Sequence, residues 1–317
     1  MQIGLIGAGR WGQRYIETIG RMSGISLAYL ASGNPKSAAL VPSGCRVTPR
    51  WRDLMEGDSC LDGIIIAAPP ETHLEIATGA IRAGIPVLVE KPMTLSLPDA
   101  ESLVKEAMDC GVLTMIGHTH LFSAAFRELK ARGRSLGRLK NIRSAGGGWG
   151  PFRPDTPPLW DWAPHDLAMA IDLLGNYPIR IEVKRTGRIQ QPKGIGEAVI
   201  IILGFESGAR AEIHISNMQR HKQRVLEVTY EGGSQIYDDL APHKLVFCSS
   251  SGSTPEPVII EHSMPLANLV GEFCRAIGEG QHSHPSLRLG LQVVKALAEC
   301  QAALDSAEGN KSTRSVG

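Results

Sequence analysis

The stretch QIGLIGAGRWGQRYIETIG, residues 2–20, decides the fold. It opens on an apolar run, QIGLIGA (2–8), that reads as a strand, and residues 10–21 then read as a helix. Between them Gly7, Gly9 and Gly12 form the spacing G-x-G-x-x-G. In this setting Gly7 permits the tight turn, Gly9 lets the backbone approach a pyrophosphate, and Gly12 lets helix and strand pack closely. The first turn of the helix would face the phosphates with unpaired N–H groups. Arg10 and Trp11 therefore join the glycines as expected cofactor-binding residues.

The pattern repeats downstream. ISLAYLAS (25–32), DGIIIAA (62–68), IPVLVEKP (85–92) and VLTMIGH (112–118) read as strands. DGIIIAA is apolar throughout, as expected of a parallel strand buried on both faces. Helices are expected over 71–84 and 96–111, with Gly84 and Gly111 as stops and Pro98 in a first turn. Such alternation implies an α/β fold with a doubly wound parallel sheet. The texture changes near residue 120, dividing the chain into domains 1–119 and 120–317. A helix (123–133) and a strand (139–145) precede a long Gly/Pro-rich loop (146–160) and a short helix (164–175). Strand-like runs at 179–189, 197–205, 209–218 and 223–237 imply a mainly antiparallel sheet. Helices near 266–279 and 286–306 close the chain, and the tail 309–317 is expected to fray.

Composition narrows the function. The 317 residues carry 33 basic and 32 acidic side chains, for a net charge of +1. That balance gives no footprint for nucleic acid or an anionic membrane. No apolar run reaches transmembrane length, and a first strand starting at residue 2 or 3 leaves no room for a signal peptide. The six cysteines form no CxxC pair, and no HExxH or other metal spacing occurs, so no metal site is expected. The expectation is a cytoplasmic protein.

Candidate site residues lie at strand ends, where doubly wound sheets bind ligands. A NAD-preferring strand two ends in an acid that takes the ribose hydroxyls. Here it ends ASGNPK (31–36), and Ser32, Asn34 and Lys36 could hold a 2′-phosphate instead. NADP is therefore the preferred cofactor, with NAD the alternative. AAPPETH (67–73) offers Ala68 and Pro69 as a rim and His73 as a contact, or as a plain helix-surface histidine. VEKP (89–92) places Glu90 and Lys91 at a strand end. In WDWAPHD (160–166), Asp161 and His165 stand four apart, and a carboxylate beside an imidazole suits proton transfer. Pro164 suits a first helical turn, which puts His165 at the positive end of the helix dipole. The alternative is an N-capping aspartate and a core histidine.

Together GLIGAGRWG, AAPPETH, EKPMTLSLPDAESLV, GHTHLF and DWAPHDLAMAIDLLG resemble the Gfo/Idh/MocA family in order and spacing over the first 175 residues. The resemblance implies an N-terminal NAD(P)-binding Rossmann domain and a C-terminal α/β domain with a large open sheet, used for substrate binding and oligomerisation. It implies hydride transfer between nicotinamide and a secondary hydroxyl or ketone of a polyol, sugar or nucleotide sugar. A glycosidase using bound NAD and a non-catalytic dinucleotide sensor are the alternatives on the same fold. By the same resemblance His165 is the general acid/base, Asp161 its support and Lys91 the group orienting substrate and nicotinamide. The assembly would be a homodimer or homotetramer. Many members continue H-x-x-D after the histidine; here that position is Ala168, and Asp166 follows His165 at once.

Overall fold

The computed structural model describes residues 1–56, 60–154, 156–252 and 254–314, with side chains through 308. In chain order the elements are β1 (Gln2–Ile6), α1 (Arg10–Ile19), β2 (Ser26–Ala31), β3 (Arg46–Thr48), β4 (Gly63–Ile66), α2 (His73–Arg82), β5 (Val87–Glu90), α3 (Leu97–Cys110) and β6 (Thr114–Gly117). There follow α4 (Ala124–Gly133), β7 (Leu139–Trp149), α5 (Pro158–Leu174), β8 (Arg180–Gln191), β9 (Gly194–Gly204), β10 (Arg210–Ser216) and β11 (Met218–Tyr230). The chain ends with β12 (Gly233–Asp238), β13 (Leu245–Ser249), β14 (Glu256–Pro257), α6 (Pro265–Gly278) and α7 (Pro285–Arg314). It divides into two compact units, 1–122 with 263–294, and 123–262 with 295–317.

The first unit holds a six-stranded sheet in the order β3-β2-β1-β4-β5-β6, parallel throughout. This is the doubly wound order, with its switch point between β1 and β4. Ile64, Ile65 and Ile66 of β4 are fully buried, as helices on both faces require. The local signals act as the residues suggest. Ser96 caps α3 by accepting the Asp99 N–H at 3.2 Å, and Gly111 ends it in the left-handed region at φ 63°.

The sequence placed 120–317 in one domain, whereas residues 263–294 fold with the first unit. Leu266, Leu269, Val270 and Phe273 of α6 share a buried cluster with Ile3, Leu5 and Tyr15. Gly63 makes this possible, because a Cβ there would lie 2.9 Å from Phe273 and Ile277.

The second unit holds an eight-stranded sheet, β14-β13-β12-β11-β7-β10-β9-β8, antiparallel except for β7–β10. α5 packs on β7, β9 and β10, burying Leu167, Ile171, Val199, Ile201, Ile213 and Ile215. The opposite face is mixed, with Glu212, Arg143 and Glu227 side by side across β10, β7 and β11.

Three elements differ from the sequence expectation. β7 continues through Gly146–Trp149, which the sequence reads as loop. α5 begins at Pro158, six residues before the expected start, and Pro164 lies inside it. Pro158 takes the first-turn position, and Pro164, further in, leaves the Trp160 carbonyl without the amide that would bond it. α7 runs to Arg314, into the tail expected to fray, and residues 315–317 lie outside the described ones. Among the described residues no helix is long and apolar enough to cross a membrane.

Candidate active site

The glycine turn has the geometry its spacing implies. Gly7 sits at φ 97°, and a Cβ there would lie 2.5 Å from the Ala67 carbonyl oxygen. A Cβ on Gly12 would lie 2.0 Å from the Gly7 carbonyl oxygen, so helix and turn could not close. Gly9 is different: a Cβ there would meet nothing within 4 Å among the described residues. Gly9 starts α1 without a side-chain cap, and the first turn carries no acid. The amides at the start of α1 are therefore open to an anion, and the turn fits a dinucleotide's pyrophosphate. Arg10 and Trp11 are exposed on that first turn.

Behind the turn lies a buried polar group. Tyr15 of α1 donates to Glu90 Oε1 at 2.6 Å, and the Lys91 N–H donates to Glu90 Oε2 at 3.1 Å. Burial pushes the Glu90 carboxyl above its ordinary range, against the pull of these donors. Glu90, expected from the sequence at the cofactor, is occupied in joining α1 to the end of β5.

The turn after β2 is held by its own side chains. Asn34 Oδ1 accepts the Lys36 N–H at 3.1 Å and caps a short helical turn. The Ser32 hydroxyl lies 2.8 Å from that of Ser37 and accepts the Asn34 N–H at 3.3 Å. Lys36 is exposed.

His73 is neither a surface histidine nor open to a ligand. It is buried, with Nδ1 2.9 Å from the Pro92 carbonyl and Nε2 2.9 Å from the Ala68 carbonyl. Burial lowers its pKa, against these bonds. The ring ties the Ala68–Pro69 rim after β4 to the Lys91–Pro92 corner after β5. Lys91 itself is half-buried and precedes a cis proline. Glu90 pairs with Gly117 across β5 and β6, so Lys91 and His118 leave neighbouring strands at the same level.

In the second unit α5 carries Asp161 and His165 four apart, on one helix face. Asp161 lies in the first turn, with Arg153 Nε 3.8 Å from its carboxylate. His165 stands about two turns in, so the dipole expected to act on it has faded there.

Two groups escape the sequence reading. His118 is 1% exposed and follows β6 directly. Asp166 is fully buried and accepts from Arg224 Nη1 of β11 at 3.0 Å, while the Arg224 guanidinium lies 5.7 Å from the Trp162 ring centroid. The glycines of β7 make room for this arrangement. A Cβ on Gly146 would lie 2.9 Å from both Arg224 Nη1 and Asp166 Oδ2, and one on Gly148 would lie 3.7 Å from Trp162. Asp166 is thus a framework residue and does not stand in for the aspartate missing at 168. Three consecutive glycines in a strand are the signal for such close approach.

A doubly wound sheet with an uncapped glycine turn at its first helix defines a dinucleotide-binding protein of the Rossmann class. Comparison with known proteins takes this further. Residues 1–118 match the oxidoreductase family with an NAD-binding Rossmann fold, and residues 124–236 match the GFO/IDH/MocA C-terminal domain. An inositol 2-dehydrogenase from Rhizobium meliloti is 27% identical, over 96% of each chain. A UDP-N-acetylglucosamine 3-dehydrogenase from Acidithiobacillus ferrooxidans is 24% identical, over 96% of this chain and 98% of the other. A crystal structure of a protein described as an oxidoreductase, from Magnetospirillum magnetotacticum, superposes with a TM-score of 0.88 at 38% identity, over 95% of this chain and 99% of the other. The chain belongs to the Gfo/Idh/MocA family and is a nicotinamide-dinucleotide-dependent oxidoreductase.

Proposed function

We propose that the chain interconverts a secondary hydroxyl and its ketone on a polyol, sugar or nucleotide sugar. The observation that carries this is the pairing of Asp161 and His165 on one face of α5, in a chain whose other unit has an open dinucleotide turn. The two named relatives, an inositol and a nucleotide-sugar dehydrogenase, support the substrate class. Gly7, Gly9 and Gly12 with the first turn of α1 would hold the pyrophosphate, and Ala68 and Pro69 would form a rim of the same site. The bound nicotinamide supplies a carbon that gives or takes a hydride. His165 moves the hydroxyl proton, Asp161 stabilises the charged imidazole, and Lys91 orients the substrate oxygen. The test is reduced-nicotinamide absorbance with wild-type protein and a panel of polyols, sugars and nucleotide sugars. Silence across the panel with both cofactors would count against the reading.

The cofactor preference in this reading is NADP. The Ser32–Lys36 turn has no acid, and with Ser32 and Asn34 oriented by local bonds, exposed Lys36 supplies the charge for a 2′-phosphate. Calorimetry with both cofactors tests it. Lys36→Ala should weaken NADP and leave NAD unchanged, and equal affinities in wild type would refute it. We also read the chain as a cytoplasmic homo-oligomer docking through the face of its second sheet opposite α5. Sedimentation showing only monomer at micromolar concentration would refute that assembly.

A further inference from the structure

Arg153 is a charged side chain beside the proposed reacting pair that the chemistry above does not use. Its Nε lies 3.8 Å from the Asp161 carboxylate, too far for a hydrogen bond, so that contact takes none of its N–H donors. The Arg153 side chain is 43% exposed, so a solute can reach it. The backbone beneath it is fixed. The Gly150 N–H donates to the Asn217 carbonyl at 2.8 Å, and the Asn217 side-chain amide donates to the Pro151 carbonyl at 3.4 Å. Phe152 stacks edge-on against Trp149, with ring centroids 5.4 Å apart. A Cβ on Gly194 would lie 2.5 Å from the Arg153 carbonyl oxygen, so β9 begins hard against the loop. An arginine anchored through its backbone, with its guanidinium open to solvent, is placed to meet a dissolved group.

The surroundings favour an anion. β11 pairs with β7 at Met218↔Trp149 and again at Gln223↔Gly147, so residues 219–222 stand opposite Gly148 alone. Bulges of this kind re-aim side chains next to active sites. Within this one Arg220, His221 and Lys222 are exposed, and residues 217–224 carry no acid. Gly148 brings the bulge and α5 together. A Cβ there would lie 3.8 Å from Lys222 and 3.7 Å from Trp162, the neighbour of Asp161. The whole chain has a net charge of +1, so these cations are a local excess. A neutral polyol has no charge for them to meet, whereas a carboxylate or phosphate pairs with a guanidinium through two parallel N–H bonds. Four residues of helix rise about 6 Å. An anion on Arg153 therefore stands beside Asp161, several bonds from a carbon whose hydroxyl meets His165.

We infer that Arg153 is a specificity residue that pairs with an anionic group, a carboxylate or a phosphate, carried by the substrate on which His165 acts. The inference rests on the hydroxyl–ketone reading above, and its test separates the two. Wild type, Arg153→Gln and Arg153→Lys are assayed by reduced-nicotinamide absorbance at saturating cofactor. The substrates are sets of a neutral sugar, its uronate, its monophosphate and its nucleoside diphosphate ester, with inositol and its monophosphate beside them. Wild type should prefer an anionic member over its neutral parent by about ten-fold or more in kcat/KM. Preference for the uronate identifies a carboxylate, and preference for an ester identifies a phosphate. Arg153→Gln should reduce that preference about ten-fold, through KM more than kcat, because the pairing is made in ground and transition states alike. Arg153→Lys keeps the charge but loses the planar fork and should recover part of the preference. Wild type that turns over a neutral parent as well as its anionic members would overturn the inference. So would an anion preference left unchanged in Arg153→Gln, even with activity lowered equally on neutral and anionic members, since the guanidinium would then act only through Asp161. Wild type silent on every member would sink the hydroxyl–ketone reading itself.

Discussion

Replacing Arg224 by methionine tests how the second unit holds α5. Arg224 is the cation paired with Asp166, at 3.0 Å, and both are buried, Asp166 completely. Methionine keeps much of the side-chain length but removes the charge. It leaves a carboxylate between α5 and β7 with no cation beside it. Breaking one partner of a buried pair costs about 3–5 kcal/mol. For a unit of this size each kcal/mol lowers Tm by about 2–4 °C, which gives a fall of roughly 6–20 °C. The pH dependence has a definite sign. Burial already holds the Asp166 carboxyl above its ordinary range, and Arg224 pulls it down. Without Arg224 it rises further, so the native state binds the proton more tightly than the unfolded chain does. The deficit should therefore be greatest at pH 8 and shrink towards pH 5. It should stop shrinking once the pH is low enough to protonate Asp166 in folded wild type as well, since the ion pair is then gone from both proteins. Asp166→Leu combined with Arg224→Met removes both charges and should recover most of the loss. Thermal melts by circular dichroism at several pH values, on both variants, provide the check. A Tm within 2 °C of wild type, or a double variant worse than Arg224→Met alone, would refute the reasoning.

Other expectations follow from the first unit. Gly9→Val should fold normally, because space is open at that Cβ, yet lose dinucleotide binding in calorimetry. Gly12→Ala should instead destabilise the turn itself, its Cβ falling 2.0 Å from the Gly7 carbonyl oxygen, and show a lowered melting temperature without any ligand. Tyr15→Phe removes the 2.6 Å donor to buried Glu90 and should cost about 1–3 kcal/mol in urea denaturation, a deficit that shrinks as the pH falls and Glu90 protonates.

What the sequence made legible has a common cause. The glycine turn and the isoleucines of β4 are readable because local backbone need and burial on both faces leave local patterns. The start of α5 was not, because Pro164 imitates a first-turn proline while Pro158 holds that position. The glycines at 146–148 carry no alternation of apolar residues, so β7 ended too early in the reading. Their meaning depends on Asp166, Trp162 and Arg224, up to 78 residues away in the chain (224 − 146). Allocation of α6 to the first unit depends on Phe273 meeting Gly63, a pairing across the whole chain. The proposed roles of Asp161, His165 and Lys91 rest on residue type and spacing. Sequence placed Glu90 and His73 at the cofactor, but the structure spends their polar atoms on Tyr15 and on backbone carbonyls. His118 was visible only as a letter in GHTHLF, since burial without a partner leaves no mark on local sequence.

The proton-transfer assignment is the central claim, and His165→Asn tests it most directly. Asparagine keeps a polar group of similar reach but cannot titrate. With a substrate that turns over in wild type, reduced-nicotinamide absorbance should show kcat falling about 10²- to 10⁴-fold in the variant. Dinucleotide affinity, measured by calorimetry on the same preparations, should stay within two-fold of wild type. Turnover by His165→Asn within a few-fold of wild type would contradict the account and leave α5 without its catalytic role.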